Sequence, residues 1–410
     1  MRRRVSFVLI VCSLVVAIGA DWPQFLGPTR DGQSTETELS WAWPKGGPPI
    51  VWKMDVGQGW AGPVVAADRL ILFHRVEYDE VVACLDPATG KNRWTFRYPT
   101  RYRDDFGFDE GPRATPVIAG NRVFTLGANG DLHGIDLTTG AKVWGRNLLA
   151  DYGADKGFFG VACSPLVVGG KVLVNVGGKG AGIVAFDAAT GKEVWKATDD
   201  PAGYSSPVLA EVGGKTLAVF LTLEGLVALA PETGAVAYTH AWKPRIRSSV
   251  NAATPLVRDG DIFLTVSYGA GAVLLRPKGG ELEELWANDK SLSCQYNTPV
   301  RVGDYLYGAH GRVDARAVDL HCVEWKTGVV KWSQPKFGAT SLIVVDRGLL
   351  GLTESGDLVR MAASPDGYKE ITRATILGSP TRAVPALAGG RVFARDGSKL
   401  VCVQLRSAKE

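Results

Sequence analysis

Residues that could hold a ligand stand at a repeated place in this chain. Trp60, Arg113, Phe159, Tyr204, Arg247, Asn251, Tyr296, Asn297 and Arg382 each lie shortly ahead of an element that opens an apolar run, in most cases one built around a Pro. Arginine makes paired, planar hydrogen bonds to carboxylate or phosphate, and aromatic rings supply flat apolar area. Gathered on one axis, such a group suits a small anionic or carbohydrate-like ligand. The plainer expectation is that these side chains cap strand ends and bond neighbouring carbonyls. Groupings able to do catalysis are scarce. Asp109 and Glu110 beside Arg113 come nearest to the carboxylate pair that a hydrolase or lyase would need for acid–base work.

Other chemistry finds little support. His74, His133, His240, His310 and His321 are dispersed, with no metal-spaced or triad-like neighbour. Gly177-Gly-Lys-Gly180 and Gly269-Ala-Gly271 lead into strands, so the helix terminus of a phosphate loop is missing. Cys84, Cys322 and Cys402 fall at small-residue places of a repeat, where buried thiols are expected. Cys163 and Cys294 fall on nearly opposite sides of that repeat. No Cys-x-x-Cys occurs, which argues against a disulfide framework or a zinc site. The net charge of +4 is small for this length, and no Lys/Arg run follows residue 4, so nucleic acid is not expected as a partner.

Positioning falls to the repeat. Asp86-Pro-Ala-Thr-Gly90-Lys-Asn-Arg-Trp94, Asp136-Leu-Thr-Thr-Gly140-Ala-Lys-Val-Trp144 and Asp187-Ala-Ala-Thr-Gly191-Lys-Glu-Val-Trp195 are close copies. Drifted copies end at Tyr238 and Trp332. The Asp side chain can accept bonds from amides ahead of it, and Gly takes the left-handed conformation that closes a tight turn. An apolar run precedes each turn and a short strand ending in the aromatic follows it. Upstream of each copy sits a small or hydroxyl residue, Pro and an aliphatic: Ala61-Gly-Pro63, Ala114-Thr-Pro116, Cys163-Ser-Pro165, Ser205-Ser-Pro207, Ala253-Thr-Pro255 and Asn297-Thr-Pro299, with weaker versions at Ala339-Thr-Ser341 and Val384-Pro385. The spacing of about 46 residues is that of a propeller blade.

The expected fold is therefore all-β, an eight-bladed β-propeller of four-stranded antiparallel blades over residues 49–410. The strand carrying Trp52 has no blade of its own, and the last blade lacks a Trp strand. The N-terminal strand should complete that blade and close the ring. Blade seven has no Trp and is expected to use Tyr368 instead. Ahead of the ring, residues 21–48 form an irregular lead-in. The longest insertions, Arg101–Glu110 and Asp151–Phe159, sit at matching places between blades, where such rings carry function.

Residues 1–20 have the marks of a signal peptide: Arg2-Arg-Arg4, an apolar run from Val5 to Val16, and small residues up to Ala20. The run is too short to span a bilayer, and Cys12 lacks a lipoprotein cleavage context. The mature chain is expected to be periplasmic or secreted, monomeric, and without a membrane span.

The unit Ala-x-Asp-x-x-Thr-Gly-x-x-x-Trp, seen at Ala185 to Trp195, resembles the repeat of the pyrroloquinoline-quinone-type propellers over most of residues 50–403. The resemblance implies a ring whose repeat Trp residues pack between blades. It also implies one of two functions. In the quinoprotein alcohol and glucose dehydrogenases the quinone lies in the axial funnel with calcium, held by carboxylates and amides, and an Asp acts as base. The branch that includes BamB, the outer-membrane assembly lipoprotein, has no cofactor and works as a docking scaffold. This chain lacks the adjacent Cys pair of many of those dehydrogenases, is shorter than most, and shows no evident set of calcium ligands at its inner strands. It also lacks the BamB lipobox. The expectation is a non-catalytic exported propeller that binds a protein partner or small ligand through its faces or funnel and needs no cofactor. The alternatives are a dehydrogenase dependent on pyrroloquinoline quinone and calcium, and a funnel-site hydrolase or lyase.

Overall fold

The structure is a computed structural model that describes residues 21–244 and 250–406. The targeting segment, its cleavage region and Arg247 lie outside the described residues. Eight four-stranded antiparallel sheets follow one another around an axis. Blade one is Val64–Ala66, Arg69–Val76, Asp79–Leu85 and Asn92–Pro99. Blades two to seven occupy residues 117–147, 166–197, 208–241, 256–288, 300–334 and 340–375. The eighth is Ala386–Ala388, Arg391–Arg395 and Lys399–Gln404, completed on its outer edge by Ile50–Asp55. The first strand thus closes the ring, pairing Trp52 with Cys402.

The turn works through its Asp. Asp86 Oδ1 accepts the amides of Ala88 and Thr89, both at 2.9 Å, and the Thr89 hydroxyl at 3.1 Å. Gly90 then turns back at φ 70°. Asp136 and Asp187 repeat the pattern. Each such turn is also a seat for the preceding blade's indole. Trp52 Nε1 donates to Pro87 O at 3.1 Å, Trp94 to Leu137 O at 2.9 Å, Trp144 to Ala188 O at 3.0 Å and Trp195 to Pro231 O at 3.0 Å. The rings lie on the turn glycines. A Cβ at Gly140 or Gly191 would come within 2.6 Å of the Trp94 or Trp144 ring. Across the sheet the aromatic faces a small residue in five of these blades, Cys84 opposite Trp94, Gly134 opposite Trp144, Ala185 opposite Trp195, Ala228 opposite Tyr238 and Cys322 opposite Trp332, whereas Trp286 of blade five faces Leu274. The three cysteines of this register are buried, free thiols, as are Cys163 and Cys294.

Blade seven departs from the expectation. Tyr368 does not take the Trp place; it lies between strands, its ring 6.0 Å from that of Trp332 in blade six. The paired positions are instead Arg360 and Thr372. The buried Arg360 guanidinium donates to Val345 O at 2.9 Å and stacks 4.1 Å from the ring of Trp41 in the lead-in. A cation is tolerated where other blades have a small residue because an indole from outside the repeat covers it.

The lead-in seals one end of the axial channel. Trp22 pairs with Val65 of blade one, and Pro23 O accepts the Ile118 amide of blade two. Arg30, wholly buried, donates to Ser164 O at 3.0 Å and Pro165 O at 2.8 Å of blade three. Gly32 O accepts the Val344 amide of blade seven, and Leu39 pairs with Arg406 beyond blade eight. No helix among the described residues is long and apolar enough to cross a membrane.

Candidate functional site: the funnel mouth

The Pro-containing elements fix the inner strands to one another. The Gly62 amide donates to Thr115 Oγ1 at 3.1 Å, the Thr115 amide to Ser164 Oγ at 2.9 Å, the Ser164 amide to Ser206 Oγ at 3.0 Å and the Thr254 amide to Thr298 Oγ1 at 2.9 Å. Each bond joins neighbouring blades, so the hydroxyl before Pro belts the axis. This belt forms the wall of a cavity of about 630 Å³. Phe25 and Leu26 of the lead-in form its floor. The open end is ringed by Trp60, Arg113, Phe159, Tyr204, Tyr296, Asn297 and Arg382, so this part of the expected group does converge.

Asn251 does not join them. It is fully buried, its Nδ2 donates to Thr222 O at 2.7 Å, and its carbonyl accepts the Tyr204 amide. It ties two chain segments together behind the wall.

The arginines converge but are already engaged. Arg113 donates to Asp104 Oδ2 at 2.5 Å and to Asp109 O at 2.8 Å, with both side chains of the ion pair buried. Arg382 Nε donates to Glu354 Oε1 at 2.8 Å. Arg312, a third arginine of the lining, is held by Asp314, with Nε at 3.1 Å from Oδ1. The Arg113 and Arg382 guanidinium carbons lie 4.8 and 4.7 Å from the centroid of the Trp60 ring. Trp60 thus packs against the arginines of two ion pairs. Among the described residues every lining arginine has its own carboxylate, so none presents an unpaired charge to the cavity.

The Asp109–Glu110 pair is likewise structural. Asp109 accepts the Gly59 amide at 3.1 Å and the Gly111 amide at 2.7 Å. Glu110 accepts from Arg103 at 2.5 Å, and this bond holds its carboxyl below the usual range. Neither is left as a proton donor facing the cavity. Tyr296 has a hydroxyl without a hydrogen-bond partner, and burial, with the charge of Glu354 next, raises its pKa.

Three phenylalanines of the insertions are absent from the expected group: Phe106, Phe108 and Phe158. They stand on the two insertions, and all line the cavity. Their signal in the sequence is a pair of aromatic doublets, Phe106-Gly-Phe108 and Phe158-Phe159, at matching places. With Phe159 and Tyr204 they make one continuous group, with neighbouring ring centroids 5.2 to 6.3 Å apart.

The residues present do not fit a quinone with calcium. Calcium takes six to eight oxygen ligands. Asp314 is the single carboxylate residue of the described lining, and Arg312 already occupies it. Among the described residues no group of three or more His, Cys, Asp or Glu is placed to hold a metal ion.

Comparison with known proteins is consistent with this geometry. The family described as outer membrane protein assembly factor BamB matches residues 49–148 and 78–334, more than half of the chain. BamB of Burkholderia pseudomallei is 26% identical over 239 residues, covering 57% of this chain and 58% of that protein. The quinohemoprotein alcohol dehydrogenase ADH-IIG of Pseudomonas putida is 27% identical over 150 residues, covering 35% of this chain and 20% of that enzyme. The chain thus spans well under two thirds of these relatives. Among solved structures, BamB of Moraxella catarrhalis superposes with a TM-score of 0.65 at 19% identity, covering 87% of this chain and 99% of that one. The quinohemoprotein alcohol dehydrogenase of Comamonas testosteroni gives 0.62 at 14% identity, covering 95% and 81%. At these identities the structural likeness is one of fold. The repeat, the closed ring of eight blades and the extent of the family match together show that this chain belongs to the family of PQQ-repeat β-propellers described as outer membrane protein assembly factor BamB.

Proposed function

We propose that this protein is an exported, non-catalytic binding protein that docks a protein partner through the faces or funnel of its propeller. One observation carries the reading: the charged groups of the mouth are paired internally, while the aromatic rings beside them stay open to solvent. Paired charges act as acid, base or metal ligand only by giving up their partners, and the Arg113–Asp104 pair is buried. Exposed aromatic clusters are what interfaces use as anchors. The relative named as an assembly factor supports the same reading. So does the signal-like segment of residues 1–20, from which we take the mature chain to be periplasmic or secreted after cleavage near Ala20. We take the protein to act as a monomer.

Photocrosslinking tests this. A benzoylphenylalanine is placed at Phe108 on the funnel face, and in a second variant at Val194 on the outer rim of blade three. Discrete protein adducts in the cells that make the protein are expected. Their absence from both positions would overturn the docking reading. Reduction of a dye acceptor by purified protein given pyrroloquinoline quinone and calcium would replace it with an oxidoreductase.

A further inference from the structure

We infer that the occupant of the funnel face is an uncharged polypeptide segment carrying aromatic side chains, gripped by Phe106, Phe108 and Phe158. The inference rests on the docking reading and names its ligand.

The rings are held out by construction. Phe106 is 54% and Phe108 59% exposed. The loop beneath them is nevertheless held by several hydrogen bonds and ion pairs. Asp104, with no exposed side-chain surface, accepts the Phe106 amide at 2.8 Å and the Asp109 amide at 3.3 Å besides Arg113. Lys156 bonds Asp105 at 2.7 Å and Arg103 O at 3.2 Å, which ties the second insertion to the first. Burying an ion pair and several amides to keep two phenylalanines in water is unfavourable unless something covers the rings. A rigid platform also lowers the ordering cost at binding.

The shape points to a chain rather than a small molecule. Phe106, Phe108 and Phe159 lie within 5.2 to 6.3 Å of one another, and Tyr204, 5.9 Å from Phe159, extends them into a short strip along the cavity lining. A small ligand is mostly enclosed by its pocket. One seated in the cavity would leave the outer two rings wet, whereas an extended segment covers the rim while placing a side chain inside. The rings sit at the separations that suit edge and offset stacking with an aromatic guest. Trp60 already packs against Arg113 and Arg382. The described arginines of the mouth are each neutralised by Asp104, Asp314 or Glu354, so the complement is a segment without acidic residues.

Calorimetry with the purified protein and an acetylated, amidated Ser-Trp-Ser-Phe-Ser-Trp peptide tests the inference. Binding is expected, with Kd at least tenfold weaker in the Phe106→Ser, Phe108→Ser double variant. That variant should unfold at the parent temperature, since both side chains are exposed. Raising salt from about 50 to about 500 mM should change Kd by less than about twofold, because no free charge pair is formed. Replacing the peptide's middle Ser with Asp should weaken binding. Lack of binding, equal binding by the double variant, or a tenfold loss in high salt would each overturn the proposal. So would a second copy covering the strip, seen as self-association that the double variant abolishes. If crosslinks persist at Val194 while the peptide fails to bind, docking stands at another face and only this inference falls.

Discussion

The Thr115 amide donates to the Ser164 hydroxyl at 2.9 Å, across the seam between blades two and three. Thr115 Oγ1 in turn receives the Gly62 amide of the blade before it at 3.1 Å. The hydroxyl preceding Pro is thus an inter-blade fastener at the axis, as the indole is at the rim. Pro explains its reliability: it restricts the residue before it to extended backbone, so that residue enters each seam in the same conformation.

Removing one fastener should be felt. Thr115→Val keeps the volume and deletes the acceptor, leaving the buried Gly62 amide unpaired. A buried unsatisfied donor costs about 1–3 kcal/mol. Denaturant unfolding should show a loss of that order for Thr115→Val and little for Thr115→Ser. An unchanged midpoint for the Val variant would show that the belt contributes nothing.

The rim can be tested at Gly191, which sits at φ 70° with the Trp144 ring 2.6 Å from where a Cβ would lie. Gly170 has φ 73° and nothing within 4 Å. Both Ala variants bear the same backbone strain, of order 1 kcal/mol. Gly191→Ala should be clearly the less stable, with its tryptophan emission shifted as Trp144 is displaced. Equal losses would mean that the indole seat is not a packing constraint.

Stability should depend on pH through three buried groups. Glu80, fully buried, accepts the Tyr98 hydroxyl at 2.5 Å and the Ala128 amide of the next blade at 2.9 Å. Burial pushes its carboxyl up to about 7, although both bonds pull the other way. The folded chain then binds more protons than the unfolded one between about 4.5 and 7, so this group's contribution falls as pH rises through that window. Burial lowers His74 and His133 to about 4, helped by Arg395 at the first and Lys142 at the second. There the unfolded chain protonates first, and stability is lost as pH falls from 6.5 towards 4. The opposing slopes partly cancel in the parent. Glu80→Gln should raise the thermal midpoint at pH 8 by a few degrees and steepen the acid loss. A lower midpoint at pH 8 would contradict this account.

Titration with pyrroloquinoline quinone, with and without calcium, should show no calcium-dependent binding. The carboxylates nearest the funnel, Asp104, Asp314 and Glu354, are each paired with an arginine, and calcium would have to break those pairs. Tight calcium-dependent binding would overturn that argument.

The sequence by itself determined the repeat and the ring. The Asp, Thr-Gly and Trp of each unit act within one turn and on the next blade, so their spacing carries the blade count and the strand exchange that closes the circle. It also placed Trp60, Arg113, Phe159, Tyr204, Tyr296, Asn297 and Arg382 at one mouth, because a position in a repeat maps onto a position around an axis. Only the tertiary structure decided what those residues can do. Arg382 meets Glu354 from the blade before, Arg113 meets Asp104 through a folded insertion, and Trp41 covers Arg360 from outside the repeat. Asn251 turns into the wall instead of the mouth for the same reason. A buried polar group takes whichever partner the surrounding loops bring within reach, and irregular loops obey no period from which that partner could be read.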